Sequence, residues 1–332
     1  MAPQNLTHRE RIETCLAGGL LDRPPVALWR HHPVDDQSPD ALAAATIEFQ
    51  RAYDFDFVKV TPASSYAVKD WGTQDEWRGS TEGTREYTRR VIQRPEDWEK
   101  LAPLDPQRGH LADMLTCLRQ IVSTLGDTTP IIQTVFNPLA QAKNLAGNDS
   151  LLIHLRRYPE AVHVGLKTIA ESTRRFVEAC LQTGIDGIFF AVQHAQYRLL
   201  SAEEYRIFGR PYDLEVLQSA QEAWFNVLHL HGDQVMFDLL MDYPVAVINW
   251  HDRDTPPSLA EAAARYHGVV CGGLKIWETM VLGTPERVLH EAQDAIRATG
   301  GQRFILSTGC VIPIITPRVN ILAARQSVEA VR

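Results

Sequence analysis

No uncharged apolar stretch in this 332-residue chain comes near the roughly 20 residues needed to cross a bilayer. Its opening, Met1 to Ile12, is polar and charged instead of signal-like, so a cytoplasmic protein without a membrane partner is expected. Basic residues are outnumbered: 33 Lys and Arg face 41 Asp and Glu, a formal net charge of -8. Phosphate-backbone contacts need clustered cations, so nucleic acid is not an expected partner. Cysteine is sparse, and Cys15, Cys117, Cys180, Cys271 and Cys310 show no paired spacing. In a chain of this size that pattern reads as reduced thiols, not a disulfide framework. Low-complexity linkers and internal repeats are missing too, which points to a single domain over residues 1–332. An anionic small substrate remains compatible with the acidic composition, because an arginine inside a pocket acts over a far shorter range than the net field.

What is present is a repeating pattern. Eight apolar runs, Pro25–Arg30, Phe57–Thr61, Ile131–Phe136, Gly187–Val192, Trp224–Leu230, Val245–Trp250, Val269–Leu274 and Phe304–Ser307, alternate with amphipathic helical stretches. Continuous apolar strands separated by helices indicate a parallel sheet covered on both faces, and eight such units close into a (β/α)8 TIM barrel of the α/β class. Helix starts support the alternation: Ser38-Pro39-Asp40, the capping box Ser201 to Glu204, and Thr284-Pro285-Glu286. Between the second and third runs, Glu82 to Gln93 alternates like an exposed hairpin added to the barrel.

Barrel active sites lie at the carboxyl ends of the strands, so the run ends nominate the pocket. They are Arg30-His31-His32, Thr61-Pro62, Asn137, Gln193-His194, His229 with His231, His251-Asp252, Lys275 and Cys310. Taken singly, a loop histidine more often bonds a backbone carbonyl than performs chemistry. His229 and His231 are different, because alternate residues of a strand share a face with about 7 Å between their Cα atoms. Cys310 follows the last strand at an equivalent depth. Two imidazoles and a thiolate form a donor set typical of zinc, and three protein ligands leave the open position of a catalytic site. A fourth donor could come from His251 or Asp252. The plain alternative is that Cys310 is an inert buried thiol.

Arg30 offers a bidentate fork for a substrate carboxylate, with Asn137, Gln193 and His194 as further binding candidates; its alternative is a rim cation. His31, His32, His251 and Asp252 are the candidates for proton transfer. Lys275 could form a Schiff base in an apolar site, though a structural lysine is the simpler reading. Gly272-Gly273 before it indicates close backbone approach instead of a phosphate loop.

Several segments carry a family signature: Asp22-Arg23-Pro24-Pro25-Val26-Ala27-Leu28-Trp29-Arg30, Thr128 to Ile132, His229 to Asp233, Gly283 to Glu286, and Ile305 to Pro313 with Thr316-Pro317 and Asn320. From about Arg9 onward the chain resembles the uroporphyrinogen decarboxylase superfamily. That resemblance implies a single barrel, a homodimer, and membership of either of two branches. True decarboxylases carry two arginines after the first strand, an aspartate after the second, a tyrosine, and a histidine in the last turn. Arg30 matches the first arginine, whereas Val34, Ala63, Asn144 and Cys310 stand at or near the other places. The zinc-dependent methyltransferase branch, which serves corrinoid systems, binds its metal through His-x-Cys and a second Cys. Here His229-x-His231 and Cys310 replace one thiolate with imidazole. The resemblance therefore favours a zinc-dependent methyl or alkyl transferase for an ether or thiol, with a corrinoid on a partner protein as co-substrate. The alternatives are a metal-free decarboxylase of a carboxylated aromatic or tetrapyrrole, and a corrinoid- or porphyrin-binding carrier.

Overall fold

The structure is a computed structural model that describes residues 5–329. Its strands are β1 (Val58–Val60), β2 (Gln74–Glu76), β3 (Glu86–Arg89), β4 (Ile131–Phe136), β5 (Gly187–Val192), β6 (Val227–Leu230), β7 (Val247–Trp250), β8 (Val269–Leu274) and β9 (Phe304–Thr308). Seven of them pair in the order β1-β4-β5-β6-β7-β8-β9, each neighbour parallel. Helices follow the strands and cover the outside of the curled sheet, which explains why β4, β5 and β8 are buried at every position.

The eighth position belongs to the first apolar run, and here the expectation of a full strand needs correction. Pro25–Arg30 makes only one bridge, Val26 with Leu306, supported by Ala27 N donating to Leu306 O at 3.1 Å and Leu306 N to Pro25 O at 2.9 Å. Two adjacent prolines, Pro24 and Pro25, have no N–H to give a ladder. The Val26 N–H is taken by the Asp56 carboxylate at 2.8 Å. That carboxylate is also bonded by His8 Nδ1 at 3.0 Å and by Arg23 and Arg11, each at 2.7 Å, which together hold it well below the ordinary carboxylate range despite complete burial. Charge-assisted bonds therefore pin the stave between β9 and β1 where ladder bonds cannot.

Helix starts fall where the capping residues predict. Ser38 accepts from Ala41 N ahead of the helix Pro39–Tyr53, Ser201 forms a capping box, and Thr284 caps Pro285–Thr299. The added hairpin is present, but its first arm lies upstream of the predicted segment: β2 pairs antiparallel with β3 through Glu76 and Glu86. Alternating charge marked one arm only, because β2 is three residues long and polar throughout. The connection after this hairpin's first arm is tied across the barrel mouth by Ile314 N donating to Thr81 O at 2.8 Å.

Rings fill the amino-terminal end of the barrel. Phe57 meets Phe225 edge-on at 5.0 Å, and above them Trp29, 5.9 Å from Phe57 and 5.3 Å from Phe189, joins Phe189 in the cavity wall. The opposite end is left open as a cavity of about 660 Å³.

Candidate metal centre

His229 is the third residue of β6 and faces its register partner Asn249 on β7. Asn249 is fully buried and donates both amide hydrogens, to Cys271 O at 2.9 Å and Thr308 O at 3.0 Å. Its oxygen is thereby turned to His229 Nδ1 at 2.7 Å. The imidazole proton must sit on Nδ1, leaving the Nε2 lone pair free, as in the outer-sphere orientation of metal-binding histidines. His231 lies one alternation further on the same face, its ring 5.7 Å from that of His229.

The third donor arrives from the turn after β9. A Cβ on Gly309 would stand 2.6 Å from His251 Cα and 2.8 Å from Trp250 O, so only glycine lets this turn press against the end of β7. Cys310 Sγ then sits 3.7 Å from His229 Nε2 and 3.7 Å from His231 Nδ1. His251 completes the group, with its ring 6.1 Å from His229 and 5.2 Å from His231. One donor atom from each of the four residues lies within 4.8 Å of the others.

Burial pushes His229 well below its ordinary pKa and His231 down to about 3, and His251 is lowered for the same reason. All three imidazoles are therefore neutral near pH 7, with lone pairs available. Burial raises the Cys310 thiol, partly countered by the nearby Lys59 cation. The His251 Nε2 is buried without a hydrogen-bond partner among the described residues. Neutral imidazoles with orphaned nitrogen, and a thiol, fit a divalent ion better than each other. Donors around tetrahedral zinc stand roughly 3.3–3.8 Å apart given bonds of 2.0–2.3 Å, a range that includes the Cys310 contacts.

The structure sorts the other nominated residues by face. Trp29 and His31 line the cavity, whereas Leu28, Arg30 and His32 border a small pocket against the helix 39–53. Alternation along an extended segment turns Arg30 away from the cavity, where its guanidinium lies 5.4 Å from the Phe49 ring. His32 meets the same ring edge-on. Asn137 caps its helix by accepting from Ala140 N at 3.1 Å and donates to Asp213 at 2.9 Å, a structural task. His194 turns to Asn148 at 3.2 Å, outside the cavity wall, while Gln193 lines it. Asp252 accepts from Gly273 N at 3.1 Å, the close approach that Gly272-Gly273 permits, and does not join the donor group. Lys275 pairs with Asp254 and Glu278 at 3.7 and 3.8 Å and is no Schiff-base candidate.

Reading only strand ends missed several cavity residues. Lys59 stands inside β1, buried to 8% exposure and pushed down to about 7, while Lys143, Arg90 and Tyr87 come from a helix and the hairpin. The available signal was a lysine in the middle of the apolar run Phe57-Val58-Lys59-Val60-Thr61.

Fold and site together define a parallel α/β barrel with a cluster of metal-type donors at the carboxyl ends of its strands. Comparison then identifies its family: uroporphyrinogen decarboxylase (URO-D) matches residues 7–331, and the chain belongs to it. Among curated relatives, a methylcobamide:CoM methyltransferase MtbA of Methanosarcina acetivorans is 25% identical over 236 residues, 70% of this chain and 67% of that protein. A uroporphyrinogen decarboxylase of Synechococcus sp. is 24% identical over 251 residues, 72% of this chain and 69% of the other. The chain thus spans about two thirds of the length of these relatives, which are enzymes of two kinds. A solved methyltransferase from Methanosarcina mazei shares the fold with a TM-score of 0.87 at 19% identity, over 98% of this chain and 99% of that one. A B12-independent methionine synthase from Shewanella sp. superposes with a TM-score of 0.60 at 13% identity, over 93% of each chain.

Proposed function

We propose that the protein is a zinc-dependent methyl or alkyl transferase linked to a corrinoid partner, its ion held by His229, His231 and Cys310 with His251 as the fourth donor. The observation that carries this reading is the convergence of three neutral imidazoles and one thiol within 4.8 Å at the cavity. Similarity to methylcobamide:CoM methyltransferases and to a methylated-thiol–coenzyme M methyltransferase of Methanosarcina mazei supports it. Zinc would supply Lewis acidity, lowering the pKa of a thiol or hydroxyl or polarising an ether oxygen.

The chain's own residues set the stage for that chemistry. Asn249 holds His229 in one tautomer. Trp29, Phe136 and Phe189 line the cavity with apolar rings that displace water. His31 is the remaining proton-transfer candidate inside the cavity; burial pushes it down to about 3, so it acts as a neutral hydrogen-bonding group or base, not as a cationic acid. The metal-free decarboxylase reading is weaker, because Ala63 is a buried apolar residue and Asn144 is engaged with Ser64 O at 3.2 Å, so neither position supplies a carboxylate; the phenol nearby is that of Tyr87, 3.4 Å from Ser64 Oγ.

The test is metal analysis of tag-free protein. About one zinc per chain is expected, falling several-fold in Cys310→Ser and His229→Ala, with methyl transfer from methylcobalamin to a thiol, or from a methyl ether to pre-reduced cob(I)alamin, abolished by chelation. Zinc content indifferent to both substitutions, or carbon dioxide release from a carboxylated substrate that survives chelation, overturns the reading.

A further inference from the structure

The barrel's strand order sets Lys59 opposite the end of β7. Counting β1, β4, β5, β6, β7, the two positions are half a circuit apart in an eight-stave ring, so Lys59 faces the cavity from the wall across from His251. Lys59 has no carboxylate partner among the described residues. Its one hydrogen bond is a long one, to Thr61 Oγ1 at 3.4 Å, and its ammonium lies 4.6 Å from the Phe189 ring centre and 5.7 Å from that of Trp29. Those ring faces offset part of its desolvation but supply no counter-charge.

Two further cations line the same cavity. Lys143 lines the cavity and forms no ion pair among the described residues. Arg90 is anchored by Nη1 to Lys143 O at 3.0 Å and Asn144 O at 2.7 Å and lies over the Tyr87 ring, which leaves its remaining N–H groups unspent. The cavity's carboxylates do not balance these charges. Asp254 and Glu278 are drawn to Lys275, and Glu82 is exposed at the hairpin. Burial without a counter-charge pushes Lys59 down to about 7, and an anion arriving with a ligand would supply the partner that restores its charged form.

We propose that Lys59, with Lys143 and Arg90, forms an anion subsite that takes the carboxylate of a small aromatic substrate, whose opposite end reaches the His229, His231, His251 and Cys310 cluster. Trp29, Phe136, Phe189 and Tyr87 line the space between the two ends, which suits a planar apolar body, and about 660 Å³ accommodates a substituted ring with room to spare. The placement of the far end rests on the metal reading above; the anion subsite does not.

Calorimetric titration of 3- and 4-methoxybenzoate and 4-hydroxybenzoate, each beside its neutral carboxamide, tests this on zinc-loaded and chelated protein. The carboxylates are expected to bind at least about tenfold tighter than the amides, as the loss of a charge-assisted contact implies. Lys59→Met, which keeps the volume, should erase that preference while the amide affinity measured on the chelated protein stays unchanged. Equal affinity of acid and amide, no binding of any benzoate, or an undiminished preference in a folded Lys59→Met overturns the subsite. Should Lys59→Met fail to fold, the acid-to-amide ratio of the native protein decides alone. The two readings fail separately: a carboxylate preference in protein that binds no zinc upholds the subsite and removes the metal, and full zinc without that preference does the reverse.

Discussion

Asn249 is where the fold and the candidate metal centre depend on one side chain, and its replacement by alanine separates the two roles. The substitution removes three hydrogen bonds, to His229 Nδ1, Cys271 O and Thr308 O, in a position with no access to water. At about 1 kcal/mol net for each, with a residual void added, a stability loss of about 2–4 kcal/mol is expected. A second effect is confined to the metal. Without its acceptor, His229 is free to carry the proton on Nε2 and to rotate, and loss of such an outer-sphere partner lowers affinity about 10- to 100-fold, or about 1.4–2.7 kcal/mol. Competition against a chromophoric zinc chelator reads the affinity, and urea unfolding of metal-free protein reads the stability. If Asn249→Ala loses stability but binds zinc as the native protein does, Asn249 is only a strand tie and the tautomer argument is wrong.

Gly309→Ala drives a Cβ into His251 Cα and Trp250 O, so a destabilisation of about 1–3 kcal/mol and weakened zinc binding should appear together in unfolding and chelator competition; unchanged values would show that the turn has slack. Asp213, buried and raised to about 6 against about 3.9 when unfolded, favours the protonated form in the fold. Its contribution is full below about pH 4 and is lost, by about 3 kcal/mol, as pH rises through 6. The stability gap between native protein and Asp213→Asn should therefore narrow from pH 4 to 7, and a constant gap refutes this. Arg30→Met should leave KM for a carboxylated substrate within about twofold, because Arg30 packs on Phe49; a tenfold rise in KM would return Arg30 to the cavity.

Much of the barrel was readable from eight apolar runs, because parallel strands covered on both faces have no polar side to hide. The one misjudged strand, Pro25–Arg30, turned on hydrogen bonding: two prolines withhold donors and Asp56, distant in sequence, takes the Val26 N–H. His229 and His231 were readable as a pair because strand alternation alone puts them on one face.

The chain by itself thus determined the strand periodicity, the helix starts and the neighbouring imidazoles, all of which depend on local backbone geometry. Only the tertiary structure decided that His251 and not Asp252 joins Cys310, since Asp252 finds the backbone of β8 through Gly273 N. It likewise turned Arg30 outward and Lys59 inward, because alternation divides residues into two faces without saying which face meets the cavity. That choice is made by the closure of the sheet, through partners hundreds of residues apart.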